Sequence, residues 1–272
     1  MSSIIRSLLF VPGSRPERFE KAFNAGADLI CIDLEDAVLP QDKDTARQAV
    51  IEFIKQHQNV CVRINPLSTD LGAVDLAALA SVNPQYVMLA KCADSQEIEQ
   101  ASAALQNCDS KLIALIETPI GLENAKEIAR CQRVDALMFG GADMSAELRC
   151  RFAYEPLLFV RSQLVIAAAS AGINLIDVPF INLKDNQGLI EETQKVQALG
   201  FTGKAAIHPN QVHTIHQAFA PTKAQVEYAQ AVVDAVDGPD AGVVVVNGRM
   251  IDRPIILASE KVLQLAALSK DS

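Results

Sequence analysis

Two carboxylates stand where chemistry is expected: Glu117 closes the apolar run Leu112 to Ile116, and Asp143 follows the run Ala136 to Phe139 through Gly140-Gly-Ala142. Two acids at the ends of successive strands can converge on one hard cation while leaving positions open for water and substrate oxygens, which is a Mg²⁺ arrangement with Mn²⁺ as the alternative ion. As two isolated acids they read better as solvated rim carboxylates, and it is their shared strand-end placement that favours the metal. A second acidic cluster, Asp33, Glu35 and Asp36, competes for the ion, or supports the site through water and by orienting basic groups.

Arg63 ends another apolar run and presents a planar fork of donors, suited to a carboxylate or a developing enolate in a way that Lys is not. The same guanidinium can equally form a structural ion pair with Asp33 or Glu35, and the two roles are compatible. Lys91 lacks any Schiff-base signature and reads as a structural ammonium. His208 before Pro209 is an acid–base candidate or a hydrogen-bonded structural residue, whereas His213 and His216 are expected on the surface of the following helix.

These residues need a scaffold that gathers strand ends. Eight short apolar runs supply it: Ile5 to Val11, Leu29 to Asp33, Val60 to Ile64, Tyr86 to Ala90, Leu112 to Ile116, Ala136 to Phe139, Ile173 to Val178 and Ala205 to Ile207. Continuous apolar runs mark strands buried on both faces. Helical periodicity fills the intervals, clearest over Arg15 to Ala25, Asp42 to Gln56, Asp94 to Leu105, Pro156 to Ala171 and Asn186 to Leu199. Eight such units predict an α/β fold closed as a (β/α)8 TIM-type barrel, in preference to an open doubly wound sheet, and active sites of barrels lie at the C-terminal strand ends.

The barrel is expected over residues 1–220 and a C-terminal helical appendix over 221–272. The appendix has a helix from Thr222 to Asp237, a Gly/Pro turn at 238–242, an apolar run from Val243 to Val246, the segment Asn247 to Pro254 and a last helix reaching about Lys270.

With 272 residues, half of them hydrophobic and 21% charged, the chain has ample material for one large core. A net charge of −9 opposes binding to a phosphate backbone, so nucleic acid is excluded as the expected partner. The segment around Leu164 to Ile176 is too short and too interrupted to span a bilayer, and the first residues carry no secretion signal, so a cytoplasmic protein without a membrane partner is expected. Six scattered cysteines lack metal-ligand spacing and are expected to be reduced thiols, mostly buried.

Six segments in order resemble the citrate lyase β-subunit-like branch of the HpcH/HpaI aldolase superfamily: Arg6-Ser-Leu-Leu-Phe-Val-Pro-Gly13 with Arg15-Pro-Glu-Arg-Phe19, Asp33-Leu-Glu-Asp-Ala-Val38, Val62-Arg-Ile-Asn65, Ile116-Glu-Thr118, Gly203-Lys-Ala-Ala-Ile-His-Pro209 and Gly248-Arg-Met-Ile-Asp-Arg-Pro254. The resemblance implies a homotrimeric lyase in which Glu117 and Asp143 bind Mg²⁺, Glu117 also touches the substrate, Arg63 contacts the substrate, and Asp252 is an acid–base residue given to a neighbouring subunit. A plain surface acid is the other reading of Asp252. The implied reaction cleaves or forms a citryl, citramalyl or malyl thioester, carried on CoA or a carrier protein, with a 2-oxo acid and an acyl thioester as products. A subunit of a multienzyme citrate lyase, an acyl-CoA thioesterase and a noncatalytic metabolite-binding barrel are the alternatives. Two departures bear on substrate: Ala142 stands where the family often has Glu, and Glu147-Leu-Arg-Cys150 replaces a Leu-Gly turn.

Overall fold

All eight apolar runs form strands, and the strands close on themselves. In the computed structural model, which describes residues 4–57, 59–236, 244–246 and 248–268, they are β1 (Ser7–Pro12), β2 (Leu29–Asp33), β3 (Val60–Ile64), β4 (Tyr86–Leu89), β5 (Lys111–Ile116), β6 (Val134–Phe139), β7 (Asn174–Asp177) and β8 (Gly203–Ala206). Every neighbouring pair is parallel, in sequence order, and β8 returns to β1 with Ser7 opposite Lys204. Strands β2, β4 and β6 are buried along their whole length, the pattern expected when helices cover the outside and side chains fill the inside. Leu8, Leu29, Tyr86, Met88, Ile113 and Met138 are among the residues of one apolar cluster.

The helices are α1 (Phe19–Phe23), α2 (Lys43–Ile54), α3 (Asp70–Leu79), α4 (Ser95–Ala104), α5 (Pro119–Ala129), α6 (Gly141–Glu147), α7 (Leu158–Ala171), α8 (Asn186–Leu199), α9 (Asn210–Phe219), α10 (Lys223–Asp234) and α11 (Arg253–Leu268). Side chains satisfy several of their free N-terminal N–H groups: Asp94 accepts from Gln96 and Glu97, Thr69 from Gly72, and Thr118 from Gly121 with Pro119 at the first helical position.

Local details differ from the pattern read in the sequence. The helix expected over Arg15 to Ala25 is a 3₁₀ turn, Pro16–Arg18, leading into the short α1. The last strand starts earlier than expected, at Gly203, because that residue lies hard against β1's approach: a Cβ on Gly203 would sit 2.0 Å from the carbonyl oxygen of Ile5. The six cysteines are free thiols, four of them buried. Among the described residues no helix is long and apolar enough to cross a membrane.

The chain divides into two compact units, Met1–Ile215 and His216–Ser272. In the second, the apolar run forms β9 (Val244–Val246), which pairs antiparallel with β10 (Arg249–Ile251), so this part contains a small hairpin as well as helices. Val232, Ile251 and Ile256 make its small core. The turn at 238–242, Asn247 and the expected helix end at Lys270 lie outside the described residues.

Candidate active site

The site is built from the C-terminal ends of β2, β3, β5 and β6. Asp33, the last residue of β2, is opposite Arg63 in the β2–β3 ladder. Arg63 donates from Nε to Asp33 Oδ1 and from Nη2 to Oδ2, both at 2.7 Å, while the backbone N–H groups of Glu35 and Ala37 complete the coordination of the same two oxygens. Both oxygens of Asp33 are thus engaged, and they fix the guanidinium plane. Burial works against the charge of Arg63, but the hydrogen bonds and charge of Asp33 with the charge of Glu35 outweigh it and hold the group firmly protonated. The ring of Phe10 lies beneath, 5.3 Å from Arg63 Cζ.

Glu35 is buried and joins the two halves of the site. Its Oε1 accepts from Lys91 Nζ at 2.6 Å, and its Oε2 lies 3.1 Å from Arg63 Nη1 as an ion pair without an aligned hydrogen bond. Beneath it, Lys43 Nζ donates to the carbonyls of Leu34 and Glu35 and to Asn65 Oδ1, which ties the loop after β2 to the end of β3. Asp36, three residues beyond the end of β2, is exposed.

Glu117 follows β5 and is only 2% exposed, so it is no solvated rim acid. Its Oε1 accepts from the backbone N–H of Lys91 at 2.9 Å. That N–H is aimed by a left-handed backbone, φ 52°, uncommon for a residue with a side chain. Gly140 lets the chain pass over Glu117: a Cβ there would fall 2.4 Å from Glu117 Cβ and 2.6 Å from Oε2. Burial, then the negative charges of Glu35 and Asp143, push the Glu117 carboxyl up to about 8, against the opposing pull of the Lys91 N–H and Arg63. Asp143 enters from the first turn of α6 and is half-buried.

Asp33, Arg63, Glu117 and Asp143 line one cavity of about 290 Å³. Its donors fit a hard divalent cation. The anionic groups outnumber the cationic ones, Glu117 is held against its charge by neighbouring carboxylates, and a buried Glu35 oxygen accepts no aligned hydrogen bond. Among the described residues no three His, Cys, Asp or Glu side chains form a fuller ligand set. A pair of carboxylates with the remaining positions open suits Mg²⁺, which keeps several waters or substrate oxygens.

Other polar residues lie elsewhere. Asp177 is buried between Arg161 and Lys204, with Nε–Oδ1 2.9 Å and Nζ–Oδ2 2.7 Å. His208 is exposed and its Nδ1 accepts from the Asn210 N–H at the start of α9. His213 is exposed as expected, but His216 is buried, contrary to expectation, because it shares a helix face with Val212, Ile215 and Phe219. Asp252 belongs to the second unit, where it is exposed just before α11 and its carbonyl accepts from Ile255 and Ile256.

Comparison with known proteins places this geometry among relatives. A family model described as HpcH/HpaI aldolase/citrate lyase matches residues 6–209, and one described as C–C bond lyase of the TIM-barrel fold matches residues 159–268. The citrate lyase subunit beta of Haemophilus influenzae is 34% identical over 96% of both chains. The (3S)-malyl-CoA thioesterase of Cereibacter sphaeroides is 31% identical over 96% of this chain and 94% of its own. CitE from Mycobacterium tuberculosis, solved in complex with magnesium, acetoacetate and coenzyme A, superposes with a TM-score of 0.85 at 31% identity, covering 98% of this chain and all (100%) of that one.

Proposed function

This chain belongs to the HpcH/HpaI aldolase/citrate lyase family, and on that premise we propose that it is a metal-dependent carbon–carbon lyase acting on a 3-hydroxyacyl thioester of the citryl, citramalyl or malyl type. The observation that carries the reading is the single cavity into which Arg63, Glu117 and Asp143 converge at the C-terminal end of the barrel. Relatives that act on CoA thioesters, and a neighbour solved with magnesium and coenzyme A, support a CoA-borne substrate; a carrier-protein thioester presents the same reacting atoms.

Glu117 and Asp143 are the residues that would hold Mg²⁺, or Mn²⁺ in its place. When bound, the ion supplies Lewis-acid polarisation of the hydroxyl and adjacent carboxylate oxygens of the substrate. In cleavage the hydroxyl loses its proton and its oxygen becomes the carbonyl oxygen of a 2-oxo acid. The electron pair of the broken C–C bond passes to the thioester α-carbon as an enolate, which then takes a proton. Arg63, held by Asp33 with N–H directions remaining on Nη1 and Nη2, stabilises the developing enolate or grips the substrate carboxylate. Glu35 backs both Arg63 and Lys91, and so bears on Glu117 through the Lys91 backbone; exposed Asp36 adds negative charge at the rim.

Asp252 serves as the proton donor and acceptor in this proposal, delivered from the C-terminal segment of a neighbouring copy in a homotrimer. The protein works in the cytoplasm on small molecules. Turnover of the three CoA thioesters with Mg²⁺ and after chelation tests the reading: cleavage that disappears with the metal supports it, and full activity in chelated protein overturns it.

A further inference from the structure

Asp143 reaches the cavity from a short support. Helix α6 has seven residues, Gly140 at its start offers no side-chain hydrogen bond to the free N–H groups, and a helix of that length is not stable on its own. The stretch from Phe139 to Asp143 lines the cavity without a break. Where the Asp143 carboxylate falls is therefore set by whatever holds this stretch in place.

That holder is a buried guanidinium outside the cavity lining. Met138 belongs to the apolar barrel interior, so the alternation along β6 sends the ring of Phe139 to the opposite face, toward α7. Gly141 rests on this ring and on that of Phe152: a Cβ there would fall 3.1 Å from Phe139 Cε1 and 3.0 Å from Phe152 Cε2. Arg161 of α7 is 1% exposed, and its Cζ lies 5.0 Å over the ring of Phe139, the residue that leads into α6, and 5.0 Å over the ring of Tyr154, in the segment that leaves it. Its Nη1 also donates to the Tyr154 carbonyl at 3.4 Å. One side chain thus grips both flanks of the segment that carries Asp143. Its own position is fixed from the barrel frame, because Nε donates to Asp177 Oδ1 at 2.9 Å and the other oxygen of Asp177 accepts from Lys204 of β8.

Resting on the reading that Glu117 and Asp143 hold Mg²⁺, we infer that Arg161 is a positioning residue for the metal: through Phe139 and Tyr154 it keeps α6 where Asp143 meets the ion beside Glu117. It touches neither the ion nor the substrate. A lysine could pair with Asp177 but has no planar group to lie over the two rings.

The test is calorimetric titration of Mg²⁺ into chelator-stripped, full-length protein. Arg161→Lys keeps a cation beside Asp177 and is expected to bind Mg²⁺ about tenfold more weakly than the wild type, the scale of a lost contact that supports a metal ligand. Phe139→Leu removes the ring and keeps the Arg161–Asp177 pair; it is expected to weaken Mg²⁺ binding in the same direction, and it carries the test if Arg161→Lys does not fold. Ile54→Ala, at the fully buried C-terminal end of α2, is the control for general loosening and is expected to lower stability with Mg²⁺ affinity unchanged. Unchanged affinity in either folded variant of Arg161 or Phe139, or an equal loss in Ile54→Ala, overturns this inference and leaves the metal site standing. No Mg²⁺ binding by the wild type overturns both.

Discussion

Arg63 and Asp33 sit opposite each other on adjacent parallel strands and are joined by two hydrogen bonds of 2.7 Å, with Asp33 only 3% exposed. The ion pair that residue type allows is formed. The ion pair is structural, and it is also what fixes the guanidinium at the edge of the cavity.

Arg63→Lys keeps the charge but loses the fork that matches a carboxylate. We expect kcat/KM to fall by about a hundredfold, as when one positioned donor of developing charge is lost, with stability lowered by about 1–3 kcal/mol, the scale of a hydrogen bond to a charged group. Steady-state kinetics and urea unfolding measure the two separately. Kinetics near those of the wild type would leave Arg63 a purely structural role.

Glu117 gives the metal-free protein a definite pH response. Its carboxyl is raised from 4.5 to about 8, so between these values the folded chain holds more protons than the unfolded one. Stability is favoured below the lower value and declines as pH rises toward the upper. Near neutral pH a bound Mg²⁺ must displace that proton. Calorimetry in two buffers of different ionisation heat is expected to show about one proton released per ion, and Glu117→Gln to abolish both the release and this part of the pH slope. Metal binding without proton release contradicts the assignment.

Lys204 tests the frame rather than the site. Its ammonium is fully buried and donates to Asp177 Oδ2, the Val178 carbonyl and Glu192 Oε1 at 2.7–2.8 Å, linking β8 to β7 and α8. Lys204→Met leaves Asp177 short of a cation and should cost about 3–5 kcal/mol in urea unfolding. A loss below about 1 kcal/mol, the worth of an exposed pair, would show that the network contributes little.

How far the sequence alone reaches depends on the kind of signal. Strands buried on both faces appear as apolar runs, so the eight-stranded frame and the strand-end residues Arg63, Glu117 and Asp143 are legible. The helix α3 is harder to see because Asp70 to Leu79 is apolar around most of its circumference and has little polar stripe. What Lys91 does for Glu117 is invisible to side-chain reading, because the contact is made by its backbone N–H. Lys204 and Lys43 look like ordinary lysines until the long-range contacts that bury them are formed. The pairing of β9 with β10 depends on contacts across a turn that composition does not specify.

Asp252 can be examined by subunit complementation. Asp252→Asn is expected to bind Mg²⁺ and a 2-oxo acid nearly as the wild type does while thioester turnover falls about a hundredfold or more, in the range of a lost general acid–base group. Mixed with an Arg63→Ala protein under conditions of proven subunit exchange, it should regain part of that activity through sites pairing one intact barrel with one intact C-terminal segment. Failure to regain activity would rule out action between subunits.

The central claim, carbon–carbon cleavage at the Glu117–Asp143 site, is tested most directly by a product balance on citramalyl-CoA turned over by the wild type, Glu117→Gln and Asp143→Asn. The account predicts equal amounts of pyruvate and acetyl-CoA from the Mg²⁺-loaded wild type, no free CoA thiol, and loss of both products in either variant that still folds. Free CoA with intact citramalate, or undiminished cleavage in both variants, would contradict it.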